Sequence, residues 1–275
     1  MKKSYVFILI GVLGVSFYYF SSRNEEKGLG NSTIKEVVGN DSFMSSSKKE
    51  VEFLLPELGS HQIIEHKLFS LSYNEEHEQA DWVAYKLFPN SINNSVKRKD
   101  NFRNDKFVLT GSASVSDYKK SGYDRGHLAP AKAMSFSKET MSESFFMSNM
   151  SPQKPSFNRG VWKKLEEKVR SWISISDSLY VVTGPVLKDS LGVIGKNSVT
   201  IPKAYFKSII RFSNNEIQGI GFMLNNEKSS KELSTFIVSI DSIEKVTKLN
   251  LFEKLDTVIQ NRIEKNSNLT VFTKE

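Results

Sequence analysis

The stretch Gly122-Tyr123-Asp124-Arg125-Gly126-His127 opens the part of this chain around which the rest is organised. It runs on through Leu128-Ala129-Pro130 and passes Ser148-Asn149-Met150-Ser151-Pro152-Gln153. It closes in Phe157-Asn158-Arg159-Gly160-Val161-Trp162, followed by Leu165-Glu166 and Arg170. A histidine can move a proton, an asparagine can hold a hard cation through its amide oxygen, and arginines suit phosphate. These are the side-chain types that hydrolysis of a phosphodiester needs.

Working outward, Pro130 ends any regular helix or central strand begun at His127. Ser137 is placed as an N-cap, with Glu139 and Glu143 in the helix it starts. A clearer helix is predicted after Asn158, because Val161, Leu165, Val169 and Trp172 recur at helical spacing as one apolar stripe. Glu166 and Arg170 stand four apart on its flank, and their plain reading is a surface pair worth a few tenths of a kcal/mol. An asparagine just before a helix is ordinarily a cap.

Upstream, residues 81–87 have the aromatic and branched content of a strand entering the core. A polar, basic loop is expected over 89–105, carrying Lys97, Arg98, Lys99 and Arg103. A strand-like run covers 108–115, and Ser121-Gly122 makes a turn. His61, His66 and His77 lack the helical spacing of a zinc pair and are expected at the surface or in turns. Downstream, strands are predicted over 179–182, 204–212 and 217–224, and an amphipathic helix over 251–263. Gly192-x-x-Gly195-Lys196 does not meet the spacing of a phosphate loop. Strands and helices fall in groups instead of alternating, which argues for an α+β layered domain.

Composition narrows the choices. The chain has 275 residues, 39% of them hydrophobic and 25% charged, and these ordinary globular values argue against disorder. A formal net charge of +7 and a sequence pI near 9.3 favour a polyanionic partner without requiring one. No cysteine is present, which excludes disulfides, thiolate metal sites and cysteine nucleophiles together. Four histidines are too few for a histidine-rich metal cage.

At the amino terminus, Lys2 and Lys3 precede an unbroken apolar run over 5–20, and polar residues follow. The run is short against the roughly 20 apolar residues of a full span. No small-x-small cleavage site follows it. Residues 1–22 are therefore expected to be a signal anchor or signal peptide, with the anchor favoured and the basic end cytoplasmic. Residues 23–50, rich in Gly, Ser, Asn and Lys, read as a flexible tether, and 51–275 as one catalytic domain. Export would follow, either held at the membrane through residues 5–20 or secreted after cleavage.

At Asp124-Arg125-Gly126-His127 the sequence resembles the DNA/RNA non-specific endonucleases, the ββα-metal, endonuclease G-like nucleases. The resemblance gains weight because Asn149 before Ser151-Pro152-Gln153, Asn158 before Trp162, Leu165-Glu166 and Arg170 follow in order. Thr183-Gly184-Pro185 and Ile201-Pro202 before Phe206-Lys207 extend it, to cover roughly residues 60–265. It implies a ββα-metal fold with a central, mostly antiparallel sheet flanked by helices.

It also implies roles. His127 would be the general base, and Asn158 the protein ligand of Mg2+, with Mn2+ as the alternative. Glu166 would orient water around the metal, and Arg170 would favour phosphate charge. Asn149 would hold the geometry of the site, while Asp124 and Arg125 would brace the histidine loop. An upstream arginine would grip phosphate, Arg98 by choice and Arg103 as runner-up. The implied substrates are DNA and RNA, cut to 5′-phosphate products. The competing readings are a non-catalytic nucleic-acid-binding module and a phosphodiesterase for small substrates. Members of the family are often dimers, so a homodimer is among the expected assemblies, although no stripe here identifies an interface.

Overall fold

Segments enriched in β-branched and aromatic residues become the long strands of this protein, whose computed structural model describes residues 55–56, 59–93, 95–214 and 216–273. In chain order the elements are β1 (Gln62–Glu65), β2 (Phe69–Asn74), β3 (Gln79–Leu87), β4 (Asp124–His127), α1 (Lys138–Glu143), β5 (Met150–Gln153) and α2 (Lys163–Ser171). They continue with β6 (Ser178–Val186), β7 (Val193–Ile194), β8 (Val199–Thr200), β9 (Ala204–Ser213), β10 (Glu216–Asn225) and β11 (Ile237–Val238). Three helices close the chain: α3 (Ile240–Thr247), α4 (Thr257–Glu264) and α5 (Leu269–Phe272). All described residues belong to one compact unit. The expected anchor (1–22) and tether (23–50) lie outside the described residues. Among the described residues no helix is long and apolar enough to cross a membrane.

Seven strands form one sheet in the order β1-β2-β3-β6-β9-β10-β11, every neighbouring pair antiparallel. The central strands are covered on both faces, so their residues alternate between two apolar layers. Val83, Tyr85, Leu179, Val181, Tyr205 and Ile209 join the layer beneath α2. Trp82, Ala84, Tyr180, Val182, Phe206 and Ile210 point the other way, to Ile240 and Ile243 of α3 and Ile263 of α4. The α2 stripe forms as its spacing predicts: Val161, Leu165, Val169 and Trp172 are each at most 3% exposed. The architecture is α+β, with a central antiparallel sheet between helical layers.

The N-cap at Ser137 forms, its side chain and that of Thr140 making a reciprocal capping box. Other expectations are corrected. Residues 108–115 make turns instead of a strand, because side chains take over their backbone groups. Ser112 Oγ accepts from Asp105 N, Asp117 Oδ2 accepts from Ser114 N, and Tyr73 OH accepts from Ala113 N. Gly111 also has φ +95°, which no strand continues through. The helix expected over 251–263 begins only at Thr257, capped by the Asp256 carboxylate. Leu251 and Phe252 are buried in the turn before it, Phe252 at φ +58°. His66 is not at the surface: it is buried, with Nε2 2.9 Å from Asp105 Oδ2. His61 is exposed and bonded to Asp81, and His77 is half-buried against Thr200.

Candidate active site

β4 and β5 pair as a short antiparallel ribbon separate from the main sheet, with His127 opposite Met150 and Asp124 opposite Gln153. Gly126 is required there, since a Cβ would sit 2.2 Å from the Gln153 side chain. Buried hydrogen bonds tie the ribbon down. Ser151 Oγ donates to Gln79 Oε1 at 2.6 Å, Tyr205 OH donates to the Pro152 carbonyl, and Asn226 Nδ2 bridges the carbonyls of Pro152 and Pro202.

After β5 the chain turns helical at Pro155, before Asn158 and not after it. A π-helical turn spans Asn158–Trp162, broken at Gly160 (φ −104°, ψ −114°), and runs into α2. Such turns interrupt the i→i−4 ladder and recur at functional sites. Asn158 therefore lies where one helical turn passes into the next, with αR dihedrals, and is not the N-cap of the helix. Its amide nitrogen donates to Asp124 Oδ2 at 2.9 Å, which leaves Oδ1 as its free hard-oxygen donor. Asp124 also takes a fork of two bonds from Arg159, at 2.9 and 2.7 Å. This carboxylate thus braces the asparagine helix, where bracing of the histidine loop was expected.

The ribbon and the helix wall an open cleft of about 490 Å³. His127, Asn158, Glu166, Arg98, Arg125, Arg170 and Asp124 all line it. Six basic side chains (Arg98, Arg125, Lys132, Arg159, Lys163, Arg170) face three acidic ones (Asp100, Asp124, Glu166), a balance that favours an anion. His127 is 9% exposed, and its ring meets Phe145 edge-on at 4.8 Å and Phe102 at 5.7 Å. Nε2 has no hydrogen-bond partner among the described residues. Burial, the Arg98 charge and then Arg125 pull the imidazole down to about 3, with Asp100 opposing. The ring is accordingly neutral near pH 7, with a lone pair to offer.

Arg125 stacks over Phe102 at 4.1 Å, and Arg98 bonds Asp100 at 2.6 Å while half-exposed in the cleft. Arg103 is placed elsewhere, stacked 3.9 Å over Phe146 and donating to the Ser142 carbonyl at 2.8 Å. Asn149 is fully buried and does not line the cleft. Its amide bonds both backbone groups of Ala129 and the Ser144 carbonyl, so it locks the segment that follows His127. Glu166 and Arg170 are not an ordinary surface pair. Burial holds the Glu166 carboxyl above the usual range, although Lys207 and Arg170 act to lower it.

Lys207 has no role in the sequence reading beyond its place in a motif. The period of β9 puts it on the face of Tyr205 and Ile209, beneath the helix. It is fully buried, Nζ has no hydrogen-bond partner, and the ammonium sits 4.7 Å over the Trp162 ring and 5.8 Å over Tyr85. A lysine inside an apolar strand run was the available signal, since lysine is almost never fully buried without a reason. Asp100, Phe102 and Arg159 were also missed, as their neighbourhood exists only after folding.

The donor set suits a hard divalent cation. It offers an amide oxygen held in place through Asp124 and a half-buried carboxylate at the cleft wall, with no thiolate.

Comparison with known proteins agrees with this geometry. The profile of the DNA/RNA non-specific endonuclease family matches residues 49–258. A nuclease of Nostoc sp. is 34% identical over 208 residues, covering 71% of this chain and 75% of its own. Mitochondrial endonuclease G of Homo sapiens is 32% identical over 206 residues, covering 70% and 69%. The solved structure of EndoG in complex with EndoGI superposes with a TM-score of 0.70 at 27% identity, over 76% of this chain and 91% of that one. This chain therefore belongs to the DNA/RNA non-specific endonuclease family, and is a hydrolase of nucleic acid.

Proposed function

We propose that the chain cuts DNA and RNA internally without base preference and leaves 5′ phosphates, with His127 as general base and Asn158 as the protein ligand of one Mg2+ or Mn2+. The observation that carries the reading is the shared cleft, in which an unpartnered neutral imidazole and an oriented asparagine oxygen face the same phosphate-favouring wall. Bound at Asn158, the cation supplies positive charge to the phosphate and to the departing 3′ oxygen.

The protein's own groups do the rest. The imidazole of His127 accepts the proton of the attacking water, and the rings of Phe102 and Phe145 fix its plane. Burial, aided by the Arg98 and Arg125 charges, keeps that imidazole neutral, and both arginines meet the phosphate oxygens from the histidine side, while Arg170 does so from the helix. Glu166 orders water between the helix and the phosphate. Asp124 fixes the rotamer of Asn158 and holds Arg159 at the rim. Contacts of this kind go to the backbone and carry no sequence information. Export behind the 5–20 segment and pairing of two copies belong to the same proposal.

The purified full-length chain, given plasmid and RNA with Mg2+ or with EDTA, tests it. Both substrates should be cut only with metal, and His127→Ala and Asn158→Ala should each remove cutting while the fold is retained. Asp124→Asn should lose about 10–100-fold, as groups that orient a metal ligand do. A folded protein that binds plasmid and never cuts it, across several divalent metals, would sink the reading.

A further inference from the structure

On the sheet face away from the cleft, α3 and α4 bring three carboxylates together. Asp241 and Glu244 are three residues apart on α3, and Glu264 ends α4. One oxygen from each lies within 4.8 Å of the other two. Glu264 is 7% exposed, and its Oε1 is buried without a hydrogen-bond partner. Glu244 Oε1 accepts from Leu251 N at 2.6 Å, which leaves Oε2 uncommitted. Among the described residues none of the three forms an ion pair with Lys, Arg or His.

Three uncompensated carboxylates at this separation repel one another, and a buried one is costly without a partner. Gln260 gives the Glu264 carboxylate a hydrogen bond, but one that carries no positive charge. The protein alone therefore leaves this charge short of a counterpart.

We propose that Asp241, Glu244 and Glu264 form a second divalent-cation site, selective for Ca2+ over Mg2+, which ties α3 to α4. The ligand class follows from the donors, which are all hard oxygens. Ca2+ binds such oxygens at roughly 2.4 Å, so oxygens up to about 4.8 Å apart can touch one ion. Carboxylates can bind it through one or both oxygens, and waters complete its six to eight ligands. Mg2+ demands closer, near-octahedral ligands and keeps several waters, so it fits a loose, partly buried trio less well. The site is a brace, because an ion bound only by the folded arrangement stabilises that arrangement. It is independent of the cleft, which lies on the other sheet face.

The test strips the full-length chain of metal with EDTA, desalts it, and titrates Ca2+ alone by calorimetry and thermal unfolding. The chain carries Asn158→Ala, so that cleft binding does not contribute. One Ca2+ should bind per chain and raise Tm by a few degrees, and Mg2+ should bind at least tenfold more weakly. Glu264→Gln should weaken Ca2+ at least tenfold and abolish the shift. In EDTA that variant should melt at or above its parent, because an unpaired buried charge is gone. Should Glu264→Gln fail to fold, Asp241→Asn decides: a tenfold loss of affinity supports the site, and unchanged affinity overturns it. Absence of any Ca2+ binding in the Asn158→Ala chain overturns it as well, as does equal binding by Glu264→Gln. In the otherwise unaltered chain with saturating Mg2+, Glu264→Gln should cut plasmid within twofold of the parent.

Discussion

Two histidines are buried in this protein, and they are buried differently. His66 lies with its side chain wholly inside, Nε2 held by Asp105, whose carboxylate also accepts from Ser148 Oγ at 2.5 Å. Burial alone would raise Asp105, yet these hydrogen bonds outweigh it and keep the carboxyl below its ordinary range. Phe69, Phe107 and Phe146 enclose the ring. His127 also sits among phenylalanines and lines the cleft, but no carboxylate is bonded to it, and its buried Nε2 has no hydrogen-bond partner. The difference teaches that burial does not make a histidine a base. What matters is where the ring is placed: His66 is locked onto a buried carboxylate away from the cleft, whereas His127 lines the cleft itself. His66 is a strut between β1–β2 and the 105 turn, and His127 is a group left ready to react.

The strongest way to break this contrast is to delete each ring in turn. His127→Ala should lower plasmid cutting by about 10²–10⁴-fold, the usual contribution of a positioned general base, with little change in Tm. A loss under tenfold would remove His127 from the chemistry. His66→Ala should do the opposite. Removing this hydrogen bond from the buried Asp105, which keeps those of Ser148 Oγ and Phe107 N, costs roughly 1–3 kcal/mol of stability, read as a fall in the denaturant midpoint, while activity per folded molecule persists. If this variant folds normally but is inactive, the strut assignment is wrong.

A pH series sharpens the contrast. A histidine whose folded pKa is lowered binds fewer protons than in the unfolded chain below about 6.5. The penalty is therefore absent above 6.5 and grows as pH falls from there towards 3. Between pH 6.5 and 5 the parent should lose about 2 kcal/mol that a His127→Asn variant retains. Parallel stability curves for the two proteins would show that the imidazole is not held neutral. The smallest effect concerns the two arginines. Arg98→Ala should raise KM up to about tenfold and reduce the salt dependence of binding by roughly one phosphate contact. Arg103→Ala should leave KM alone and cost about 1–2 kcal/mol through the lost Ser142 bond and Phe146 stacking. The reverse outcome would exchange their roles.

Much of the cleft was legible because its signals are local. Asp124 to His127, Asn158 and the Glu166–Arg170 spacing lie in short motifs, and the stripe from Val161 to Trp172 follows from helical period alone. The strands of the central sheet read well for the same reason, as buried strands carry dense apolar runs. Residues 108–115 misled because their apolar content is ordinary, while the decisive hydrogen bonds come from Asp105, Ser112, Asp117 and Tyr73. His66 misled because nothing near it in sequence announces Asp105. Lys207 was visible as a motif member, but its place beneath Trp162 depends on strand pairing.

By itself the sequence determined the class of chemistry, the stretch that performs it and the α+β grouping of elements. These rest on residue identity and on periods of two and 3.6, which need only neighbours along the chain. The tertiary structure alone decided that Asp124 serves Asn158, that Arg98 and not Arg103 faces the cleft, and that Glu166 has a buried lysine beneath it. It also decided that one buried histidine is paired and the other is not. Each of these depends on which groups share a low-dielectric space, and contact between distant parts of the chain is settled only when the layers close.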